Sequence, residues 1–228
     1  MLPVNDSRGS ALVTGGTGKV GRVLAERLEE AGFRVFAAGR ADGDLATAAG
    51  ARGLVEQAAS DLGGLDLVVH AASAGFEPRE VADVTEEHWD EALGATAKGA
   101  FFVAQTAAPH LARSPLGLLV LVEDVAGYDP WPLFAPHAAA KAAEAMLTRV
   151  LARALAPEVR VCGVAPGPVA VEPGQEERRA AETLLGRVGS PEDVAEAVAY
   201  LAGADFVTGA TLVVDGGRLL QSMRPGPT

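Results

Sequence analysis

Short apolar runs alternate with longer, alanine-rich stretches of helical period along most of the chain. The runs predict strands because they are bounded by turn residues, and the periodic stretches predict helices with one apolar face. The predicted strands cover residues 11–13, 33–38, 65–70, 116–122, 159–164 and 212–214. The predicted helices cover residues 20–31, about 85–113 and 136–156, and another begins at Ser190, which is followed by a proline and two acidic residues.

This alternation of strand and helix predicts a mostly parallel sheet that helices cover on both faces. At 228 residues, of which 49% are apolar and 21% charged, the chain is long enough for one well-buried domain and short for two. We therefore predict a single α/β domain, a doubly wound parallel sheet, over residues 1–228.

The formal net charge of −11 makes some classes of partner unsuitable. A strongly acidic chain repels phosphate, so we expect neither nucleic acid nor a membrane as a partner. The single cysteine, Cys162, excludes an intramolecular disulfide and a cysteine-based zinc site, as a reducing cytoplasm permits. Residues 1–10 lack a signal-peptide pattern, and no apolar run approaches the ~20 residues that span a bilayer. We expect a cytoplasmic protein with no metal site.

The first turn from strand to helix is a candidate cofactor site, because ligands of such sheets bind at the carboxyl ends of the strands. It reads TGGTGKVG from Thr14 to Gly21. Gly15, Gly18 and Gly21 would allow a tight turn, the approach of backbone N–H groups to a pyrophosphate, and close helix packing. A simple turn needs only one such glycine, so the position after the first strand favours dinucleotide binding. The other candidate contacts in the loop are Thr17, Lys19 and Val20.

The five residues from His137 to Lys141 (HAAAK) place an imidazole and an ammonium group four positions apart on a predicted helix. Residues i and i+4 share one helix face, so both heads can reach the same ligand. A lysine on a helix is more usually solvated, so this pattern gains meaning only from its context.

These two segments resemble motifs of the short-chain dehydrogenase/reductase family, in which tyrosine normally takes the position of His137. Residues 164–169 resemble the family's Pro-Gly turn over the nicotinamide, residues 187–195 its late helix start, and residues 207–209 and 213–217 its C-terminal strand. Together these motifs cover nearly the whole chain. The resemblance implies a Rossmann-like fold, Lys141 at the ribose of a nicotinamide cofactor, and Pro166, Gly167 and Val169 near the nicotinamide.

Three of the family's four catalytic positions depart from its pattern. Serine normally stands thirteen positions before the tyrosine, and these two positions hold Asp124 and His137. The asparagine of the set aligns with Thr96, so only Lys141 is unchanged. The resemblance therefore makes Asp124, His137 and Lys141 the candidate catalytic residues.

Further departures are similar to the pteridine reductases of the same family. Lys19 stands in place of the loop's second glycine, where those enzymes have a basic residue that can meet a cofactor phosphate. The usual Asn-Asn-Ala-Gly becomes His70-Ala71-Ala72-Ser73, which places Ala71 and Ala72 beside the cofactor. Aspartate at the position of Asp124 also matches the pteridine reductases, where it takes part in proton transfer.

Several roles stay open at the level of the sequence. His137 could replace tyrosine as an acid or base, because histidine titrates near neutral pH, or it could be a packed residue at a helix start. Asp124 could serve proton transfer or cap the loop after its strand. Tyr128 could supply the missing hydroxyl or pack within its loop. His70 could contact the cofactor ribose or simply end its strand.

Cofactor preference is predicted from the end of the second strand. Arg40 stands where a carboxylate would otherwise bind the two hydroxyls of the adenosine ribose, which favours a 2′-phosphate and hence NADP(H) over NAD(H). Asp44 and Leu45 resemble the family's Asp-Val pair at the adenine pocket. If they are that pair, the helix and most of the strand that usually precede it are missing, and the sheet is shortened between the family's second and fourth strands.

Two hypotheses of function follow from these features. The first is an NADPH-dependent reductase of a small carbonyl or pterin-like substrate, with Asp124, His137 and Lys141 in the site. The second is a family member that has lost its chemistry and serves as a dinucleotide-binding or assembly subunit. The resemblance also implies a homo-oligomer, a tetramer or dimer, and the alanine-rich face of residues 138–145 suits close helix packing.

Overall fold

The computed structural model describes residues 8–222, with six strands and eight α-helices in this range. The strands β1–β6 are Gly9–Thr14, Phe33–Ala38, Leu67–His70, Leu118–Val122, Arg160–Pro166 and Thr211–Val214. The helices α1–α8 are Lys19–Glu30, Ala48–Leu62, Glu86–Leu93, Gly99–Leu111, Ala135–Leu155, Glu176–Ala180, Pro191–Gly203 and Arg218–Ser222. Residues 1–7, which form most of the N-terminal segment that is predicted to lack a signal-peptide pattern, lie outside the described range.

All six strands pair in parallel in the order β2-β1-β3-β4-β5-β6, which confirms the predicted fold class. Thr14 pairs with His70, and Val122 pairs with Val164, so the carboxyl ends of the central strands meet at one edge. The strand order reverses between β1 and β3. A crevice opens at such a reversal, and this is where ligands of doubly wound sheets bind.

Two apolar layers sandwich the sheet, because successive side chains of each strand point to opposite faces. Leu12 and Leu119 pack with α2, α4 and α5 on one face. Val13 and Val120 pack with α1 and α7 on the other. Within residues 8–222, no helix combines the length and hydropathy needed to cross a bilayer.

The sheet is shortened as the resemblance implied. Strand β2 is its edge, and residues 39–47 lead from β2 directly into α2. The apolar pattern did not reveal α2, whose buried positions are mostly alanine. The Thr47 hydroxyl caps the start of α2 by accepting from the Gly50 N–H at 3.0 Å, and Gly63 ends it in the left-handed conformation.

The predicted long helix over residues 85–113 is interrupted. A π-helical turn, Gly94–Lys98, separates α3 from α4. A Cβ on Gly94 would lie 3.0 Å from the Ala46 side chain, so the turn packs closely against the loop before α2. The fourth strand begins at Leu118 rather than at residue 116, because Gly117 before it has a left-handed φ of 43°.

Candidate functional site

A cleft of about 570 Å³ lies at the carboxyl edge, over the reversal between β1 and β3. This volume is in the range of small-molecule sites. Seven of the predicted cofactor residues line it: Gly15, Thr17, Gly18, Arg40, Asp44, Ala71 and Ala72.

The glycine loop forms one wall of this cleft. Gly15 has φ +69°, and a Cβ there would lie 2.7 Å from the Ala71 carbonyl oxygen. A Cβ on Gly21 would collide with the Gly15 carbonyl. The N-cap of α1 is Gly18, which has no side chain to occupy the first N–H groups of the helix. These groups and the close backbone approach fit the pyrophosphate of a dinucleotide.

Other predicted cofactor residues lie outside the cleft. Lys19 Nζ forms an exposed ion pair with Glu172 Oε1 at 2.7 Å, which ties the glycine loop to the segment after β5. Val20 packs against the core, and Gly21 is buried behind the loop.

The Pro-Gly turn after β5 packs on the C-terminal strand. The Gly167 N–H donates to the Val214 carbonyl at 3.0 Å, and a Cβ on Gly167 would lie 2.7 Å from the Asp215 side chain. Val169 is buried in the core beneath the turn, and Pro166 is the last residue of β5.

Asp124 and His137, which the resemblance assigns to one site, lie side by side. The Nε2 of His137 lies 3.4 Å from Asp124 Oδ2. The other carboxylate oxygen of Asp124 accepts the Ala126 N–H at 2.8 Å, so this side chain also caps its loop. The His137 ring stacks on Phe76 with 4.1 Å between centroids, which fixes the plane of the imidazole.

A second cleft, of about 390 Å³, adjoins the first. Both clefts are bordered by Arg40, Ala74 and Glu91, and His137 and Phe134 line the second one. The arrangement therefore provides a cofactor-sized cleft, a smaller adjoining cleft, and an imidazole in the wall of the smaller one.

Lys141 lies behind this wall rather than in either cleft. Its buried ammonium donates to the Val122 carbonyl and to Glu144 Oε2, each at 2.8 Å. The lysine expected at the ribose is thus held by the protein itself in this conformation.

Tyr128 does not present its hydroxyl to the clefts. The hydroxyl donates to Glu123 Oε2, and burial together with this carboxylate raises the pKa of Tyr128 to about 12. Glu123 Oε1 accepts from the hydroxyls of Thr148 at 2.6 Å and Thr211 at 3.2 Å. The carboxylate of Glu123 is therefore fully partnered in the interior.

His70 is fully buried and lines neither of the two clefts. Its Nδ1 lies 2.9 Å from the Thr14 hydroxyl oxygen. Thr96 is also buried, in the π-helical turn, with its hydroxyl 3.3 Å from that of Ser73.

The sequence reasoning missed two buried carboxylates, Glu123 and Glu144. Each has a signal in the sequence: Glu123 ends an apolar run, and Glu144 follows Lys141 by three positions in an alanine-rich helix. Among residues 8–222, no group of three or more histidine, cysteine or acidic side chains could hold a metal ion.

Comparisons with known proteins show what the chain is similar to. Residues 19–218 match the family model described as enoyl-(acyl carrier protein) reductase. The chain is 34% identical to 4-formylbenzenesulfonate dehydrogenase of Comamonas testosteroni, over 94% of this chain and 99% of the relative. It is 32% identical to human dehydrogenase/reductase SDR family member 4, over 91% and 86%. The ligand-free structure of Thermoplasma acidophilum aldohexose dehydrogenase superposes with a TM-score of 0.88 at 22% identity, covering 97% of this chain and 98% of that one.

Proposed function

Because the chain belongs to the short-chain dehydrogenase/reductase family, we propose that it is an NADPH-dependent reductase of a small carbonyl or pterin-like substrate. The family makes the protein an oxidoreductase that uses a nicotinamide dinucleotide. The preference for NADPH and the class of substrate are the parts we propose.

The observation that carries the proposal is the pair of adjoining clefts. The larger one has a wall of main-chain N–H groups and glycines, as a pyrophosphate requires. The smaller one meets it at Arg40, Ala74 and Glu91, and is lined by His137. A substrate in the smaller cleft would thus lie between the cofactor and a proton-carrying side chain.

Arg40 supports the choice of NADPH. It is exposed on the rim of the larger cleft, where a guanidinium can bind a phosphate with two hydrogen bonds. The nearby carboxylates are engaged with the main chain: Asp42 Oδ2 accepts the Gly39 N–H at 2.8 Å, and Asp44 Oδ1 accepts the Ala46 N–H at 3.0 Å. These contacts leave Arg40 as the side chain best placed for a ribose substituent.

Protein side chains would position the reactants and supply the proton. The nicotinamide, when bound, supplies the hydride. As the carbonyl carbon is reduced, its oxygen would take a proton from the imidazole of His137, and the Asp124 carboxylate beside Nε2 would balance the charge of the protonated ring. Phe76 stacks on the ring and fixes its plane. The family resemblance assigns Lys141 to the cofactor ribose, which requires its ammonium to leave the contacts with Val122 and Glu144.

A titration followed by a turnover screen tests the proposal. We expect the intrinsic fluorescence of NADPH to change on binding, with a lower Kd than for NADH, and NADPH to be consumed with at least one small aldehyde, ketone or pterin. Tight NADPH binding without consumption across these substrates would favour the dinucleotide-binding subunit instead. Binding of neither cofactor at millimolar concentration would contradict both hypotheses.

A further inference from the structure

Behind Lys141 lies a buried pair of polar side chains that the proposed reaction does not use. Glu144 lies on α5, His70 ends β3, and both side chains are fully buried. Glu144 Oε1 and His70 Nε2 face each other at 3.9 Å, and neither atom has a hydrogen-bond partner among residues 8–222. Buried polar atoms are rarely left unpaired, because such an atom has lost its water without compensation.

The opposite end of each side chain is anchored. Glu144 Oε2 accepts from Lys141 Nζ at 2.8 Å, and His70 Nδ1 lies 2.9 Å from the Thr14 hydroxyl. These two anchors aim Oε1 and Nε2 at one another. Closing the remaining gap by about 1 Å would make an ordinary hydrogen bond, which needs one proton between the two atoms.

Burial and the surrounding charges together decide where that proton lies. Glu144 faces the Lys141 ammonium and the carboxylates of Glu123 and Asp124, whereas His70 faces Lys141 and the main chain of Ala95 and Thr96 in the π-helical turn. Burial opposes the negative charge of the Glu144 carboxylate most strongly, the Lys141 ammonium favours that charge, and the acidic neighbours oppose it. Burial and the ammonium both oppose a positive charge on the imidazole.

We propose that Glu144 and His70 are positioning residues that hold one proton between them and thereby set the charge that faces Lys141. When Glu144 is protonated, it donates from Oε1 to the neutral imidazole, and Lys141 has no ionic partner there. When the proton leaves to solvent, Glu144 becomes the counterion of Lys141. The inference rests on the proposed function, in which Lys141 binds the cofactor ribose.

Folding therefore reverses the proton preference that the two groups have in water. In the unfolded chain the imidazole keeps its proton to about pH 6.5, and the carboxyl loses its own near pH 4.3. Burial raises the pKa of Glu144 to about 7, and burial together with Lys141 lowers the pKa of His70 to about 3. Between about pH 3 and pH 7 the folded protein therefore holds the proton on the Glu144 carboxyl and keeps the His70 imidazole neutral.

This reversal makes the free energy of unfolding depend on pH through both groups. Glu144, with a raised pKa, contributes stability that is complete below the unfolded pKa and is lost as the pH rises towards 7. His70, with a lowered pKa, contributes stability that is present above pH 6.5 and is lost as the pH falls. Between about pH 4.5 and 6.5 the two slopes oppose each other, so they cancel in the wild type.

The test is the thermal unfolding of the full chain without cofactor between pH 4.5 and 6.5. Relative to wild type, the Tm of Glu144→Gln should rise with pH by about 3–5 °C per pH unit, and that of His70→Asn should fall by a similar amount. The double variant should run parallel to wild type. Parallel profiles for both single variants would overturn the proposal, because a merely structural role shifts Tm equally at every pH.

Histidine resonances provide a second measurement, on wild type, if a variant does not fold. The imidazole signal of His70, one of four histidines, is assigned as the one absent from His70→Asn or by through-bond correlation in wild type. Its chemical shift should stay at the value of a neutral imidazole down to pH 4.5. A titration of this signal near pH 6.5 would overturn the proposal.

NADPH titrations between pH 6 and 8 test the link to Lys141. A glutamine at position 144 can accept from Lys141 and donate to His70, as protonated Glu144 would. The Kd of wild type should therefore rise severalfold more with pH than that of Glu144→Gln, and equal rises would overturn the positioning role. Failure to bind NADPH at any pH would contradict the proposed function, whereas the opposite Tm slopes would still establish the shared proton.

Discussion

The glycine wall of the cofactor cleft is formed by main chain, whereas the region around His137 is formed by side chains. Main chain forms the glycine wall, where Gly15 adopts φ +69° and Gly21 lies against the Gly15 carbonyl. Side chains form the other region, where His137 lies between Asp124 and the ring of Phe76. The first region tolerates no added atoms, whereas the second depends on which groups carry protons.

This difference implies that cofactor binding and turnover depend on different regions of the site. The main-chain region controls the shape of the cleft, since a methyl group on Gly15 or Gly21 would press on neighbouring main chain and displace the loop. In the proposed function, the side-chain region acts on the substrate once the cofactor is bound. Substitutions in the two regions should therefore fail in different measurements.

The largest effect is expected from Gly21→Ala. The new Cβ would collide with the Gly15 carbonyl and force the loop away from α1. We expect loss of measurable NADPH binding and a fall of about 3 kcal/mol in the free energy of unfolding, as overpacking of a tight site causes. Fluorescence titration and urea unfolding would measure these.

Gly53→Ala is the matched control, since Gly53 lies within α2 and a Cβ there would meet no atom within 4 Å. This change should raise the free energy of unfolding by about 0.5–1 kcal/mol and leave cofactor binding unchanged. Undiminished NADPH binding by Gly21→Ala would mean that the main chain of the loop does not shape the cleft.

His137→Phe should have the next largest effect, in turnover. Removal of the proton donor is expected to lower kcat by about 10²- to 10⁴-fold while the Kd for NADPH stays the same, because His137 lines only the smaller cleft. The control is His110→Gln, whose side chain lies near Glu56. Equal kcat values for His137→Phe and wild type would remove the histidine from the mechanism.

Arg40→Ala changes a residue that borders both clefts and tests its role in the choice of cofactor. Loss of a guanidinium–phosphate contact should weaken NADPH binding about 10- to 100-fold and leave NADH binding unchanged. Arg52→Ala, on the exposed side of α2, provides a control with the same loss of charge. An equal loss of affinity for both cofactors would show that Arg40 does not select the 2′-phosphate.

The main-chain region is also the one that the sequence predicts more fully. The tight loop is predicted from Gly15 and Gly21 themselves, because glycine is the residue best suited to a left-handed φ and to so close an approach of main chain. The strand alternation likewise predicts the sheet. Helix α2 escapes detection because alanine marks its buried face only weakly.

Side-chain partners depend on contacts between distant segments, so spacing alone reveals few of them. The family resemblance made Asp124 and His137 candidates for one site, and Asp124 Oδ2 lies 3.4 Å from His137 Nε2. The three-residue spacing of Lys141 and Glu144 on a helix allows their contact, but no spacing indicates that His70 would be buried beside Glu144. The tertiary fold brings the end of β3 to within 3.9 Å of the Glu144 side chain on α5, and spacing along the chain does not reveal this approach.

The smallest effect is expected from Tyr128→Phe, which asks whether the side-chain region has a second proton donor. The hydroxyl serves Glu123, so its loss should lower the free energy of unfolding by about 1 kcal/mol without changing kcat. Tyr200→Phe, on an exposed position of α7, should change stability by less than about 0.5 kcal/mol. A fall in kcat for Tyr128→Phe comparable with that for His137→Phe would place the tyrosine hydroxyl in the reaction, and would require the Glu123 contact to open during turnover.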